Sequence, residues 1–110
     1  MTRERLDVMK GTLILLVLRS LEGGPRHGYE IMRWIRERAD GAFQIEEGAI
    51  YPTLHRLRAK RLIRAEWGVS EGNRKAKFYE LTAKGEKRLR AELTKWQLYV
   101  EAVANVIGAG

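Results

Sequence analysis

The 110-residue sequence is 45% hydrophobic and 32% charged, which is typical of one globular domain rather than of a disordered chain. Its net charge of +7 predicts a polyanionic partner, with nucleic acid the simplest choice and an anionic membrane surface the weaker one. The chain has no cysteine, which excludes disulfides and thiolate catalysis. Its two histidines are too few and too far apart for a zinc site, so we expect neither a metal nor a cofactor.

The apolar stretches are short. The run from Leu13 to Leu18 falls far below the roughly 20 residues that a membrane-spanning helix needs, so we expect no membrane partner. The N-terminus lacks a signal-peptide cleavage pattern, and we therefore expect a cytoplasmic protein. Ser20 and Ser70 have no histidine close in sequence, so no nucleophile is paired with a base and we expect no enzyme.

The N-terminal third predicts a charged arm and two helices. Thr2 to Asp7 reads as a loose arm, and Val8 to Glu22 as a largely buried helix that Gly23, Gly24 and Pro25 end. A second helix is expected from about His27 to Ala39. His27 is expected to be a capping or turn residue rather than a ligand. Tyr29 in the first turn of this helix either donates to a DNA phosphate or packs at the edge of the core.

A third helix is predicted from Glu47 to Lys60. Its inward side is formed by three apolar residues at helical spacing, Ile50, Leu54 and Leu57. The opposite side carries Gly48, Pro52, His55, Arg56 and Ala59, with Tyr51 and Arg58 on one flank. Gly48 either permits close approach to another molecule or is an ordinary helix-start residue. This side is small at its beginning and basic further along, as suits a helix that enters a DNA groove.

Two strands follow, Leu62 to Trp67 and Ala76 to Leu81, joined by a polar turn that bears Arg74 and Lys75, with Lys77 just beyond. Residues 47–77 contain eight Lys or Arg and three Glu, which gives this segment a net charge of +5. A helix of this kind beside a basic hairpin predicts a winged helix-turn-helix in which both elements meet double-stranded DNA. The alternative interpretation is that the basic turn is only a solvated loop.

Thr82 is suited to cap a final helix of about 25 residues, on the order of 37 Å long. Its apolar residues are spaced alternately by four and three: Leu89, Leu93, Trp96, Val100, Val103 and Ile107. This heptad pattern favours packing against the same helix of a second subunit, although folding back onto its own domain is the alternative. We therefore divide the chain into a DNA-binding part, residues 1–81, and a dimerisation helix, residues 82–110.

Three motifs in order resemble the PadR family of bacterial transcriptional regulators. They are GYEI at residues 28–31, GAIYPTLHRLRAKRLI at 48–63 and KFYELTAKGEKRL at 77–89. The resemblance covers about residues 6–93 and is closest to the short subfamily, in which one winged helix precedes a single dimerising helix. The segment EWGVSEGNRKAKFYELT is similar to the branch described as acidobacterial. The expected fold is mainly α with a small β-hairpin.

The resemblance implies a homodimeric repressor of a nearby promoter that binds a palindromic operator. In such regulators the residues that match Tyr51, Arg74, Lys75 and Lys77 approach DNA. Some members also respond to small aromatic compounds between the dimer helices, which makes Trp96, Tyr99 and Val100 candidate effector residues. The alternative interpretation is that Trp96 only packs in the dimer interface and binds no effector.

The sequence departs from the family at two positions. Arg61 stands where relatives usually have Gly after the third helix, which makes a left-handed helix end less comfortable. Arg58 stands where an acidic residue is common, so its charge either adds phosphate affinity or faces solvent. The alternative function is a winged-helix module that binds protein without specific DNA binding, but such a module does not require a basic wing.

Overall fold

A computed structural model gives the fold and describes residues 6–9 and 11–108. The helices are α1 (Thr12–Ser20), α2 (Gly28–Arg38), α3 (Glu47–Ala59) and α4 (Ala83–Ile107). The strands are β1 (Leu6–Asp7), β2 (Arg26–His27), β3 (Phe43–Gln44), β4 (Ile63–Val69) and β5 (Lys75–Leu81). This mainly helical arrangement with a small antiparallel sheet confirms the fold class expected from the sequence.

The larger sheet has three strands in the order β2-β5-β4, and all of its pairs are antiparallel; the hairpin of β4 and β5 is called the wing. The sequence predicted only the hairpin of β4 and β5. The third strand was missed because it has two residues, Arg26 and His27, which pair with Tyr79 and Phe78. It fixes the start of α2 against the base of the wing.

One apolar core joins the helices to the sheet. Leu18 from α1, Ile31 from α2 and Leu54 from α3 are fully buried in it. Ile63 of β4 and Leu89 of α4 belong to the same core, so the wing and the first turns of α4 are fixed to the three-helix unit. Apolar burial of this kind is the main stabilising contribution in a domain of this size.

The N-terminal prediction was partly wrong. Helix α1 begins at Thr12 rather than Val8, because Gly11 adopts a left-handed φ of 92° and Thr12 N–H donates to the Met9 carbonyl at 3.0 Å. Leu6 and Asp7 form parallel strand pairs with Phe43 and Gln44 instead of belonging to a loose arm. The remaining arm residues, Thr2 to Arg5, lie outside the described residues.

Helix α2 begins with a capping box, which confirms the capping role expected for His27. The His27 ring nitrogen Nδ1 accepts from the Glu30 backbone N–H at 3.2 Å, and the Glu30 carboxylate accepts from the His27 N–H at 3.1 Å. Two donors of the first turn are thereby satisfied. The helix therefore starts at a defined residue, directly after β2.

Both wing strands are longer at the tip than the sequence predicted. Gly68, assigned to the turn, lies inside β4 opposite Ala76. A Cβ at Gly68 would lie 2.9 Å from the Phe78 ring, so an aromatic side chain covers this glycine. The ladder continues to the pair of Val69 and Lys75, which shortens the turn to residues 70–74.

Helix α4 begins and ends close to the prediction. Thr82 is its N-cap, and the Thr82 hydroxyl accepts from the Gly85 N–H at 3.0 Å. The helix has 25 residues and ends at Gly108, whose φ of 77° is left-handed. Within the described part of the chain, no helix is long and apolar enough to cross a membrane.

Candidate nucleic-acid interface

Helix α3 separates its buried and exposed sides as predicted. Ile50, Leu54 and Leu57 are buried, whereas Gly48, Pro52, His55, Arg56 and Ala59 are exposed. A Cβ built on Gly48 meets no atom within 4 Å, so the start of this side is open space. Pro52 lies inside the helix, where it removes one backbone N–H from the helical hydrogen bonds. The side presents a narrow surface that can approach another molecule closely.

Tyr51, on the flank of α3, packs across the first residue of α2. A Cβ at Gly28 would lie 2.7 Å from Tyr51 Cε1 and 2.9 Å from its hydroxyl oxygen. Only glycine leaves room for the ring here, so Gly28 positions Tyr51. The ring remains 47% exposed, which leaves its outer edge available to a partner.

Tyr79 of β5 lies behind this contact and links α3 to the wing. Burial raises the pKa of the Tyr79 hydroxyl, the nearby Tyr51 adds to this rise, and the positive charge of Arg58 opposes it. The hydroxyl of Tyr79 is therefore neutral at physiological pH. Arg58 is exposed and lies two helical turns after Tyr51, on the same flank of α3.

The wing tip is a tight turn with a defined hydrogen-bond pattern. The Asn73 N–H donates to the Ser70 carbonyl at 2.9 Å, and the Ser70 N–H donates to the Arg74 carbonyl at 2.8 Å. Asn73 has φ 57°, a left-handed conformation that tight hairpin turns commonly require near their end. The Arg74 N–H also donates to the Ser70 hydroxyl at 3.3 Å. These hydrogen bonds therefore fix the backbone that carries the basic side chains of the tip.

Five of the predicted DNA-contacting residues line one cleft of about 550 Å³ between α2, α3 and the wing. They are Tyr29, Tyr51, Arg74, Lys75 and Lys77. The other five, Gly48, Pro52, His55, Arg56 and Arg58, are exposed on α3 but do not line this cleft. The predicted site is thus a basic, aromatic cleft beside an exposed helix surface.

The charges of the wing are divided between its two sides. Arg64 pairs with Glu80 at 2.6 Å, and both lie on the side away from the cleft. Among the described residues, no carboxylate lies within 4.0 Å of the charged nitrogens of Arg74, Lys75 or Lys77. The cleft side therefore keeps its positive charge for an anionic partner.

Arg56 is partly committed to its own helix. One of its guanidinium nitrogens donates to the Thr53 hydroxyl at 3.2 Å, and that hydroxyl donates to the Ala49 carbonyl at 2.8 Å. Thr53 is buried, and no motif in the sequence marks it as a site residue. Because a guanidinium has five N–H donors, Arg56 keeps donors for a base or phosphate while its stem is held.

Trp67 was also missed as a candidate, although it lines the cleft and its side chain is 61% exposed. The Lys75 and Lys77 ammonium groups lie 5.3 and 5.5 Å from the centre of its rings. Strand alternation contains the signal, because Trp67 pairs directly with Lys77 across the hairpin. In the sequence alone, Trp67 reads only as a strand residue.

The expected dimer seam on α4 needs one correction. Leu89 is only 1% exposed in the single chain, because it packs in the core of its own domain, and so it is not available to a partner. Leu93 is partly buried against the same core. The remaining seam residues are exposed and apolar: Trp96, Val100, Val103 and Ile107.

Two of the three candidate effector residues meet in a second, more apolar cleft of about 260 Å³. Trp96 and Tyr99 are stacked with ring centres 6.3 Å apart, and both line this cleft between α4 and the start of α1. Met9 and Leu15 form its opposite wall. Val100 is exposed on the same helix but is not among the described residues that line it.

Comparison with known proteins connects this geometry to a family. Residues 17–91 match the transcriptional regulator PadR-like family. An uncharacterized protein of Lysinibacillus sphaericus is 37% identical over 93 residues, which are 84% of each chain.

Solved structures agree in fold. A PadR family transcription regulator from Clostridium difficile has 30% identity and a TM-score of 0.73, with 88% of this chain and 98% of that chain covered. A PadR-like transcriptional regulator from Bacillus cereus has 28% identity and a TM-score of 0.76, with 89% and 93% covered. The chain therefore belongs to the PadR-like family and is a DNA-binding transcriptional regulator.

Proposed function

We propose that this chain is a homodimeric repressor that binds a palindromic operator through α3 and the wing. The observation that supports the proposal is the cleft in which Tyr29, Tyr51, Arg74, Lys75 and Lys77 meet, beside the exposed side of α3. Helix α3 enters the major groove, and the wing follows the adjacent backbone. The roles of individual residues follow from where they lie.

Arg56 is the residue we assign to base recognition. It lies on the exposed side of α3, and its fork of donors matches the two acceptors on the major-groove edge of guanine. His55 and Tyr51 make base-edge or phosphate contacts next to it. Gly48 and Pro52 present a small surface where the helix enters the groove, while Arg58 faces the backbone beside the wing.

Arg74, Lys75 and Lys77 neutralise phosphates, and Tyr29 donates to a phosphate from the start of α2. If a dimer neutralises about six phosphates, log K against log salt has a slope near −5. This part of the affinity is the same for every sequence. An affinity for promoter DNA that is independent of salt would contradict the mechanism.

Dimerisation is proposed through the exposed apolar residues of α4. Trp96, Val100, Val103 and Ile107 lie on one side of the helix, and a row of such size on a soluble chain marks an interface. A second copy of the same helix is the simplest partner, because it closes a two-fold assembly. Two α3 helices are then held for successive major grooves, about 34 Å apart.

The assigned roles are separable by mutation. We expect Arg74→Ala with Lys75→Ala to weaken binding to operator and random DNA alike, because phosphates carry no sequence information. Arg56→Ala should instead narrow the difference between the two DNAs by about ten- to hundredfold, the value of one good base contact. Gel-shift titrations with an operator selected from random fragments measure both effects.

Arg64→Ala is the matched control, since Arg64 pairs with Glu80 on the side of the wing away from the cleft. This variant should bind both DNAs like the parent protein. The opposite pattern, with sequence preference lost in the wing variant and kept in Arg56→Ala, would refute the roles assigned here.

A small planar aromatic effector is proposed for the cleft at Trp96 and Tyr99, where stacked rings and an apolar opposite wall favour such a ligand. In a Trp34→Phe, Trp67→Phe background, titration with planar aromatic compounds should quench the Trp96 fluorescence, and the same compounds should lower the DNA affinity of the parent protein. Absence of any quenching across a series of such compounds, or unchanged DNA affinity in the quenched complex, would contradict the proposal.

A further inference from the structure

Trp67 is an exposed aromatic residue with no packing role in the core. It lies on the cleft side of the wing, where it pairs across the hairpin with Lys77, while Lys75 pairs with Val69 two residues nearer the tip. An indole with 61% of its surface exposed contributes little to folding by burial. Its contacts instead involve the two lysines.

Both ammonium groups lie within cation–π distance of the same ring system, at 5.3 Å for Lys75 and 5.5 Å for Lys77. Such contacts fall within the distance of about 6 Å at which the negative face of an indole attracts a cation. Two lysines on the same side of one strand would otherwise repel each other and point freely into solvent. The indole therefore holds two positive charges close together.

This restraint matters because a free lysine side chain loses considerable rotamer freedom when it binds a phosphate. Lysines already held over Trp67 have lost part of that freedom before DNA arrives. The charged nitrogens also have no carboxylate within 4.0 Å among the described residues, so they remain available to an anion. Preorganised contacts of this kind raise affinity without adding new ones.

We propose that Trp67 is a positioning residue of the wing, which holds Lys75 and Lys77 together as a clamp for the DNA backbone. The indole acts through the lysines rather than on DNA itself. This inference rests on the DNA-binding function proposed above. It adds a residue that the sequence motifs of the family resemblance did not single out.

A double-mutant cycle tests the inference. Affinity for a short random-sequence duplex is measured for the parent, Trp67→Leu, Lys75→Ala with Lys77→Ala, and the triple variant. We expect Trp67→Leu to weaken binding by about three- to tenfold in the parent, because two lysines that are no longer restrained must lose more rotamer freedom when they bind phosphates. In the background without lysines the same change should have no further effect, because the residues it acts through are gone.

Two further variants separate positioning from general damage. Trp67→Tyr keeps an aromatic face and should restore most of the affinity. Val69→Ala, which trims the exposed apolar residue two positions along the same side of β4, should leave affinity unchanged. The thermal unfolding midpoint should stay close to that of the parent in all of these variants, because none of the substituted side chains is buried.

Each outcome decides between hypotheses. An equal loss from Trp67→Leu with and without the lysines would mean that the indole contacts DNA directly, and no loss in either background would mean that it has no role; both results overturn the inference. If the lysine variant itself binds DNA like the parent, the proposed function of the wing fails instead. A loss that Trp67→Tyr does not restore would also overturn the positioning role.

Discussion

Arg61 ends α3 in a left-handed conformation, with φ 61°. The Leu62 N–H donates to the Leu57 carbonyl at 3.0 Å, and the Arg61 N–H donates to the Arg58 carbonyl at 2.9 Å. These two bonds form a Schellman motif, in which glycine is the usual residue at the position of Arg61. The chain therefore retains the helix end expected from its family although it lacks the favoured residue.

Arg61→Gly should stabilise the protein by about 1 kcal/mol, because a Cβ in the left-handed region is unfavourable and glycine removes it. Equilibrium denaturation by urea measures the change. Arg61→Ala is the control, since it removes the same charge but keeps the Cβ. An equal gain in Arg61→Ala would attribute the effect to charge rather than to backbone conformation.

Helix α4 is joined to the base of the wing through Thr82 and Gly85. The Thr82 hydroxyl donates to the Arg61 carbonyl at 2.7 Å, and the Thr82 N–H donates to the Leu62 carbonyl at 3.1 Å. Gly85 lies so close that a Cβ there would be 1.9 Å from the Leu62 carbonyl oxygen. The direction in which α4 leaves the domain depends on this contact.

Gly85→Ala should destabilise the protein by about 3 kcal/mol or more, because the new methyl group meets backbone that cannot move without disturbing β4. Denaturation by urea gives the free energy of unfolding. Gly48→Ala is the matched control on another helix, where the added Cβ meets nothing within 4 Å. That variant should be unchanged or up to about 1 kcal/mol more stable; an equal cost at both sites would refute the packing argument.

The beginning of α4 packs in the core of the domain, whereas its end is exposed. Leu89 belongs to the core of the domain, whereas Val100, Val106 and Ile107 remain exposed. The first turns of the helix share the core of the preceding domain, so the division that we propose at residue 82 crosses this core. The exposed end is what the proposed dimer would cover.

Val100→Glu should convert dimers into monomers and weaken operator binding, because a buried, unpaired charge in an apolar interface is costly. Sedimentation equilibrium measures the oligomeric state. Thr94→Glu adds the same charge to an exposed position on the side of α4 away from this row of residues and should leave dimers intact. A parent protein that is monomeric even with promoter DNA would end the dimer proposal.

The local properties of the sequence sufficed for the order of the four helices and the two long wing strands, the buried and exposed sides of α3, the cap at Thr82 and the basic character of the wing. These features depend on periodicity, capping chemistry and charge within a few neighbouring residues, which a single sequence displays directly. Errors arose where the local signal was short or misleading, as at Gly11 and at Gly68, which lies inside β4.

The tertiary structure alone decided which distant residues meet. It places Tyr51 over Gly28, two lysines over Trp67 and Leu89 in the core rather than on the seam. None of these contacts follows from spacing along the chain, because each depends on how separate elements pack and on which strand residues face each other. The sequence predicted that α3 and the wing are basic elements for binding DNA, and packing determined how their side chains are held.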